Sequence, residues 1–353
     1  MQKIVAEALK RGKAERKKES LDYIRFRDRF RKIERGTVLT ARKVLWGYPH
    51  IKRIFDLKDG LKRNMDVPVV YAEEKIDGFN IRIASVKGEV FAFSRGGFLD
   101  SFVAEKARDA GMADYFKENP DHVLCAEMLG NTPYTSPTTK FDVKMFVFDI
   151  DSGDGTYLPP RERYSMLKEH GIEGVPRLGK FKGDDYKGLA TLALRLNKGR
   201  KEGMVLKSED RKSIVKYVTP WSDIDDIAGT ANVFFDMPIG FYYQRILRSA
   251  FFISEFGLDR DKYAKKLGDA FYDGLAKAIS RAEKGMEMDE EFEISIKDKS
   301  TWDDIRRHMS KEVMIEELWR REEGKRTRIR FRKVYKRTSR RLIAYAAGKG
   351  VTD

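Results

Sequence analysis

The chain has 353 residues, 41% hydrophobic and 36% charged, so two or three domains with proper cores are expected and disorder throughout is excluded. One cysteine, Cys125, rules out an intramolecular disulfide, and with only four scattered histidines it cannot build a tetrahedral zinc cluster. The net charge of +15 sits at the ends: residues 1–43 carry 15 Lys/Arg against 6 Asp/Glu, residues 320–341 carry 12 against 2, and 44–319 is slightly acidic.

Residues 1–60 read as a basic N-terminal module, part helix, ending near Asp59-Gly60. The tetrapeptide IRFR occurs at 24–27 and again at 329–332. Alternation would put Arg25, Arg27, Arg29 and Arg31 on one strand face, while residues 23, 26, 30 and 33 also fit a helix, so both conformations stay open. From 61 to 220 the pattern changes to short runs rich in Val, Ile, Phe and Tyr, such as VPVVYAEEKI, FNIRIASV, GEVFAFSR, VKMFVFDI and SIVKYV. Gly, Asp, Asn and Pro punctuate them, which predicts a mixed, largely antiparallel sheet with helices over 101–118 and around 161–170. Residues 221–290 read as a helical module in which Tyr263, Leu267, Phe271, Leu275 and Ile279 recur at i+4. Residues 291–353 form a basic C-terminal domain where Trp302, Ile305, Met309 and Leu318 make another amphipathic stretch. The expected class is α+β, with a mainly helical C-terminal half. No apolar run is long enough for a membrane span and no secretory signal is evident, so a soluble, cytoplasmic protein without a membrane partner is expected.

Two basic ends on a slightly acidic body suit a polyanion held by phosphate contacts and counterion release. Aromatic and aliphatic residues interleave the arginines, which favours nucleic acid over a merely solvated surface.

Six elements inside the sheet region carry the chemistry. The strand YAEEKIDGFN ends in Lys75-Ile76-Asp77-Gly78, a K-x-D-G pattern that puts a lysine where a strand gives way to a Gly turn, with Asp77 on the same side of an extended chain. There follow SRGG at 94–97, CAEMLG around Glu127, FVFDI at 146–150, EGMVLK at 202–207 and IVKYV around Lys216.

Taken in this order, the six elements resemble the covalent nucleotidyltransferase superfamily of ATP-dependent ligases and RNA capping enzymes, over residues 71–218. EKIDGFN with Glu127, FVFDI and EGMVLK is most similar to the RNA ligases, and the helical tail resembles the archaeal ATP-dependent RNA ligase family, whose members circularise RNA and are homodimers. The resemblance implies ATP as AMP donor, Mg²⁺ or Mn²⁺ as cofactor, and RNA 5′-phosphate and 3′-hydroxyl ends as partners. It implies an adenylated nucleophile at Lys75 and an adenine contact at Glu74. Arg95 would bind phosphate or the acceptor strand, Glu127 the ribose hydroxyls, and Phe148 the adenine face, with Phe146 beside it as the core-packing alternative. Glu202 would place the metal, Lys207 and Lys216 would neutralise the α-phosphate, and Asn80 would serve the joining step, with Arg82 on that strand as a weaker candidate. A lysine attacks phosphorus only when unprotonated, so the Lys75 pKa is expected to fall beside Lys207, Lys216 and bound metal. Family members commonly carry K-x-K in the last motif, whereas Lys216-Tyr217-Val218 supplies one lysine; either the phosphate clamp is thinner or Arg211 or Lys212 compensates.

Three competing patterns are rejected. GVPRLGKF at 174–181 spells a phosphate loop, but Phe181 replaces the Ser/Thr. DIDSGDG at 149–155 imitates a calcium loop with Asp154 where Gly is required. Glu173 competes with Glu202 but lacks the following VLK. DNA ligases and capping enzymes attach an OB barrel closed by R-x-D-K; neither is expected here, since Arg260-Asp261-Lys262 lacks the spacer. The other alternative is a noncatalytic RNA-binding protein on the same scaffold. The aromatic segment FFDMPIGFYYQRILRSAFF at 234–252 packs either on its own catalytic domain or against a second copy.

Overall fold

The computed structural model describes residues 1–135, 139–309 and 313–350. Helix α1 (Gln2–Lys10) packs on a small antiparallel sheet, β1 (Ala14–Lys18), β2 (Asp22–Phe26), β3 (Val38–Thr40) and β4 (Val44–Leu45), ordered β1-β2-β3-β4. The first IRFR therefore begins as a strand, which ends at Phe26. Tyr23, Val38 and Leu45 share a core with Ala84, Phe93 and Val123, so this module packs apolar face to apolar face on the central region.

The central region contains β5 (Lys52–Arg53), α2 (Leu57–Asn64), β6 (Val69–Lys75), β7 (Phe79–Val86), β8 (Glu89–Ser94), α3 (Ser101–Asp109), α4 (Met112–Glu118), β9 (Val123–Gly130) and β10 (Val143–Asp151). It continues with α5 (Pro160–Glu169), β11 (Arg177–Lys182), α6 (Tyr186–Lys198), β12 (Gly203–Ser208) and β13 (Ile214–Val218). Two sheets result, ordered β10-β9-β7-β8 and β11-β6-β12-β13-β5. All pairs are antiparallel except β13 with β5. The helix expected over 101–118 is interrupted at Gly111, whose φ of 75° ends one helical run before the next begins. On β6, Val70 and Ala72 face a core of Leu189, Leu192 and Leu206, while Tyr71, Glu73 and Lys75 take the other face.

After Val218 come α7 (Pro220–Thr230), a 3-10 turn (Ala231–Asp236), α8 (Gly240–Glu255) and α9 (Arg260–Glu283). They are followed by β14 (Asp289–Ile296), α10 (Lys299–Met309), β15 (Met314–Glu323), β16 (Arg326–Val334) and α11 (Lys336–Ala346). The α+β class and the helical character of the C-terminal half hold, and the described residues form no OB barrel. Within that half, 289–334 contributes a three-stranded sheet, β14-β16-β15, that the helical reading of the last stretch does not contain. Leu318 belongs to its strand β15 rather than to the helix of Trp302 and Ile305. Period-two alternation explains it: Ile329 and Phe331 of the second IRFR enter the main core with Phe292 and Ile294, while the intervening arginines face out. No helix among the described residues is long and apolar enough to cross a membrane.

Candidate active site

Where the two central sheets meet lies a cleft lined by Lys75, Asn80, Arg95, Glu127, Phe148, Lys207 and Lys216, with Tyr48, Glu73 and Glu74 among others. Strand register gathers them. Gly203 pairs with Lys75 and Val205 with Glu73, which brings Glu202 to the nucleophile candidate; Val205 also pairs with Lys216. On the second sheet Asn80 pairs with Glu127. Eight of the sequence-derived positions thus line one cavity, and Glu202 touches it through Lys75.

The Lys75 ammonium donates to Glu202 Oε2 at 2.6 Å, and the Lys75 side chain is 21% exposed. It lines the cleft rather than projecting into bulk solvent. Burial works to lower the Lys75 pKa, but Glu202 and then Glu127 outweigh it and hold the ammonium above its ordinary value. The expected depression is therefore corrected: the carboxylates Glu202 and Glu127 beside Lys75 outweigh burial and the cations nearby. Burial raises both carboxylates, each to about 7; Asn80 hydrogen-bonds Glu127 and opposes that rise, as Lys75 does for both.

Lys216 behaves differently. Burial, then Arg53, Lys75 and Arg95, bring its pKa down to about 8. Arg95 meets His50, Nη2 to Nδ1 at 3.1 Å.

Lys207 lines the cleft and is also engaged inside the protein. Its side chain is 1% exposed, and its ammonium donates to Phe148 O at 2.6 Å and Asp149 Oδ1 at 3.1 Å, with Glu73 Oε2 at 2.8 Å. Arg163 bonds both Glu73 and Asp149, and Tyr48 donates to Asp149 Oδ2 at 2.5 Å. This buried network of two carboxylates and three cations adjoins the cleft, and within it Lys207 holds the Phe148 carbonyl and Asp149. Arg211, the third cation, binds Asp149 and is no substitute clamp; exposed Lys212 meets Asp210 at 3.5 Å. Glu74 lines the cleft as well, although its side chain takes the face opposite to Lys75 and its carboxylate pairs with Lys201 at 3.0 Å.

Of the two phenylalanines only Phe148 lines the cleft, edge-on to Tyr48 at 5.2 Å between centroids. Arg82 is 1% exposed and donates to Gly36 O and Trp46 O, each at 2.6 Å, so it ties the N-terminal module to β7 and is no ligand. The rejected patterns stay rejected: Arg177–Lys182 is strand, Asp151 Oδ1 accepts from Gly153 and Gly155 N to close its own turn, and Glu173 is exposed. The basic C-terminal strand is partly neutralised internally, Arg330 by Glu291 at 2.5 Å and Arg332 by Glu316 at 2.6 Å.

The residues missed from sequence are Tyr48, Glu73, Asp149 and Arg163. Asp149 stands inside FVFDI and Glu73 two residues before Lys75, which are usable signals; nothing local marks Tyr48 or Arg163.

A divalent cation fits here in one way. Among the described residues no cluster of three or more His, Cys, Asp or Glu could hold a metal ion, so the protein builds no cage. Glu202 offers one buried carboxylate, which suits Mg²⁺ that keeps its waters and takes further oxygens from phosphates.

Residues 68–218 match the RNA ligase family and residues 229–349 match the ligase Pab1020 C-terminal region. An Aquifex aeolicus structure, provisionally named an ATP-dependent DNA ligase, is 31% identical with a TM-score of 0.94, over 100% of both chains. An archaeal ATP-dependent RNA ligase is 26% identical with a TM-score of 0.91, over 99% of this chain and 96% of that one. An uncharacterized protein of Methanocaldococcus jannaschii is 29% identical over 344 residues, 92% of this chain and 87% of its own. With Lys75, Glu127, Phe148 and Lys216 converging on one cleft and both parts of the chain matched, the protein belongs to the RNA ligase family and carries the Pab1020-type C-terminal region.

Proposed function

We propose that the protein is an ATP-dependent ligase that seals RNA 5′-phosphate and 3′-hydroxyl ends, circularising suitable strands, through lysine-AMP and RNA-adenylate intermediates. The observation that carries this reading is the Lys75 amine at the end of β6, inside a cleft that also presents an aromatic face at Phe148, a carboxylate at Glu127 and a cation at Lys216.

In the first step the neutral Lys75 amine attacks the α-phosphorus; the N–P bond forms, the bond to the bridging oxygen breaks, pyrophosphate leaves, and the lysine proton is lost. Glu202 Oε2, 2.6 Å away, holds the ammonium until its proton is lost to solvent. Phe148 stacks on the base, Glu127 accepts from the ribose hydroxyls, and Lys216 neutralises charge growing on the α-phosphate. The AMP then passes to the RNA 5′-phosphate, and the 3′-hydroxyl expels it, with Asn80 and Arg95 orienting the strand ends. Mg²⁺ or Mn²⁺, held by Glu202 together with phosphate oxygens, would add positive charge that favours the neutral form of Lys75.

We further propose that the helical segment 221–290 is a homodimer interface. Ile239, Tyr243, Ile246, Leu247 and Phe251 are exposed at helical spacing on and beside α8, an apolar face that supports burial against a second copy. A cytoplasmic location is consistent with the absence of a membrane-spanning helix among the described residues.

The test is incubation with α-labelled ATP and Mg²⁺. Label that survives denaturation and is absent from Lys75→Ala supports the enzyme; no label at any pH or temperature leaves a noncatalytic RNA binder. The Aquifex neighbour's name makes DNA the second substrate to try: 5′-phosphorylated single strands of RNA and DNA, offered in parallel, separate the two, and circular RNA product favours the RNA reading. Triphosphate-ended RNA that receives GMP would instead indicate capping chemistry.

A further inference from the structure

The line of residues that reaches Lys216 continues one strand further. Strands β13 and β5 run parallel, with Lys216 opposite Arg53. Glu73, Val205, Lys216 and Arg53 therefore stand in one row across four neighbouring strands, and laterally paired residues project from the same face of a sheet. The first three line the cleft. Arg53 carries the row to the sheet edge, and after burial it is the strongest influence depressing the Lys216 pKa.

The Arg53 Nε is buried and has no hydrogen-bond partner. The carboxylates that act on it, Asp223 and Glu202, are committed elsewhere: Asp223 accepts from Arg248 Nε at 3.1 Å, and Glu202 accepts from Lys75 at 2.6 Å. A buried N–H left without an acceptor costs stability unless one arrives. Phe148 lines the cleft with Glu73, its carbonyl held by Lys207 of the buried network, and Lys75 stands at the end of the strand that carries Glu73. A nucleotide with its base at Phe148 and its α-phosphate between Lys75 and Lys216 would send its remaining phosphates toward the outer end of that row.

We propose that Arg53 binds the β- and γ-phosphates of the nucleotide, the group that leaves as pyrophosphate, and so supplies the cation that Val218 does not. The assignment rests on the adenylylation reading above. A planar fork of donors suits this task better than a second lysine, because it can hold two phosphate oxygens at once as negative charge builds on the leaving group.

The experiment compares wild type, Arg53→Ala and Arg53→Lys in three reactions. Self-adenylylation by α-labelled ATP should fall about tenfold or more in Arg53→Ala, chiefly through ATP concentration dependence. Conversion of isolated adenylylated enzyme back to ATP should need about tenfold more pyrophosphate. Joining of a pre-adenylated RNA, which carries no pyrophosphate, should stay within about twofold of wild type. Arg53→Lys, which keeps the charge, should recover part of the first two. Equal labelling of wild type and Arg53→Ala would overturn the assignment alone, and so would a loss of pre-adenylated joining as large as the loss of labelling. A wild type that takes no label would remove the enzymatic reading together with it.

Discussion

Arg211 grips Asp149 with two hydrogen bonds, Nε to Oδ1 at 2.8 Å and Nη2 to Oδ2 at 2.6 Å. The same carboxylate also meets Lys207 and Arg163, so it is the hub of a buried charge network that adjoins the cleft. Replacing it with Asn leaves buried cations short of a partner and should cost about 3–5 kcal/mol. Urea unfolding of Asp149→Asn measures this; a change below about 1 kcal/mol, no larger than many surface substitutions produce, would show that the network contributes little. Against the upward push of burial, Lys207 and Arg211 hold the Asp149 carboxyl well below its ordinary range. Its stabilising contribution is therefore complete above the unfolded carboxylate pKa of about 3.9 and is lost only as pH falls further, toward its folded value.

Lys216 gives a second pH signature, in the opposite direction. With a pKa of about 8 in the nucleotide-free protein, it carries its charge below that pH and sheds it above. Affinity for ATP, read as KM in self-adenylylation, should weaken as pH rises through this range. Lys216→Arg should flatten that dependence because the guanidinium stays protonated, while Lys216→Ala should lower the rate by about 100-fold. A wild-type KM that stays level from about one unit below the Lys216 pKa to about one unit above it would remove Lys216 from the phosphate clamp.

Gly36 ties the N-terminal module to the site. Its φ is +83°, and a Cβ there would lie 2.1 Å from Arg95 O. Gly36→Ala must therefore strain its own backbone and displace the loop that carries Arg95, at a cost of about 1–3 kcal/mol. Below its melting temperature the variant should still join RNA more slowly, by about tenfold or more, since small displacements of a positioning group are expensive. Denaturation curves and ligation rates measured on the same preparation check both effects; unchanged ligation would free Arg95 from any role in positioning RNA.

Tyr243 and Phe251, 65% and 46% exposed, stand on the outer face of α8. Light scattering at two protein concentrations should give the mass of two chains for the wild type and of one for Tyr243→Asp with Phe251→Asp. A wild-type monomer at high concentration would remove the dimer.

Much of this was legible along the chain because covalent-transfer chemistry is carried by short motifs with fixed local geometry. K-x-D-G at the end of a strand locates Lys75, and EGMVLK locates Glu202, whatever lies between. Short runs rich in Val, Ile, Phe and Tyr between Gly, Asp, Asn and Pro marked the central sheets, since β-branched and aromatic residues suit strands. Period-two alternation lay in the second IRFR, yet its arginines hid it: interleaved basic charge reads as a surface for a polyanion until Glu291 and Glu316 are found opposite.

Sequence alone determined the family and singled out the candidate nucleophile, because those depend on residue types in order. Tertiary structure decided which cations remain free. Lys207, Arg163 and Arg211 are spent on Glu73 and Asp149, residues far apart in the chain that only sheet pairing and helix packing bring together, whereas Arg53 becomes the neighbour of Lys216 through one parallel strand contact. The balance of burial against charge that sets the state of Lys75 is a property of that assembled cleft, since electrostatic energies depend on distances in space and on exclusion of water, neither of which is written in the order of residues.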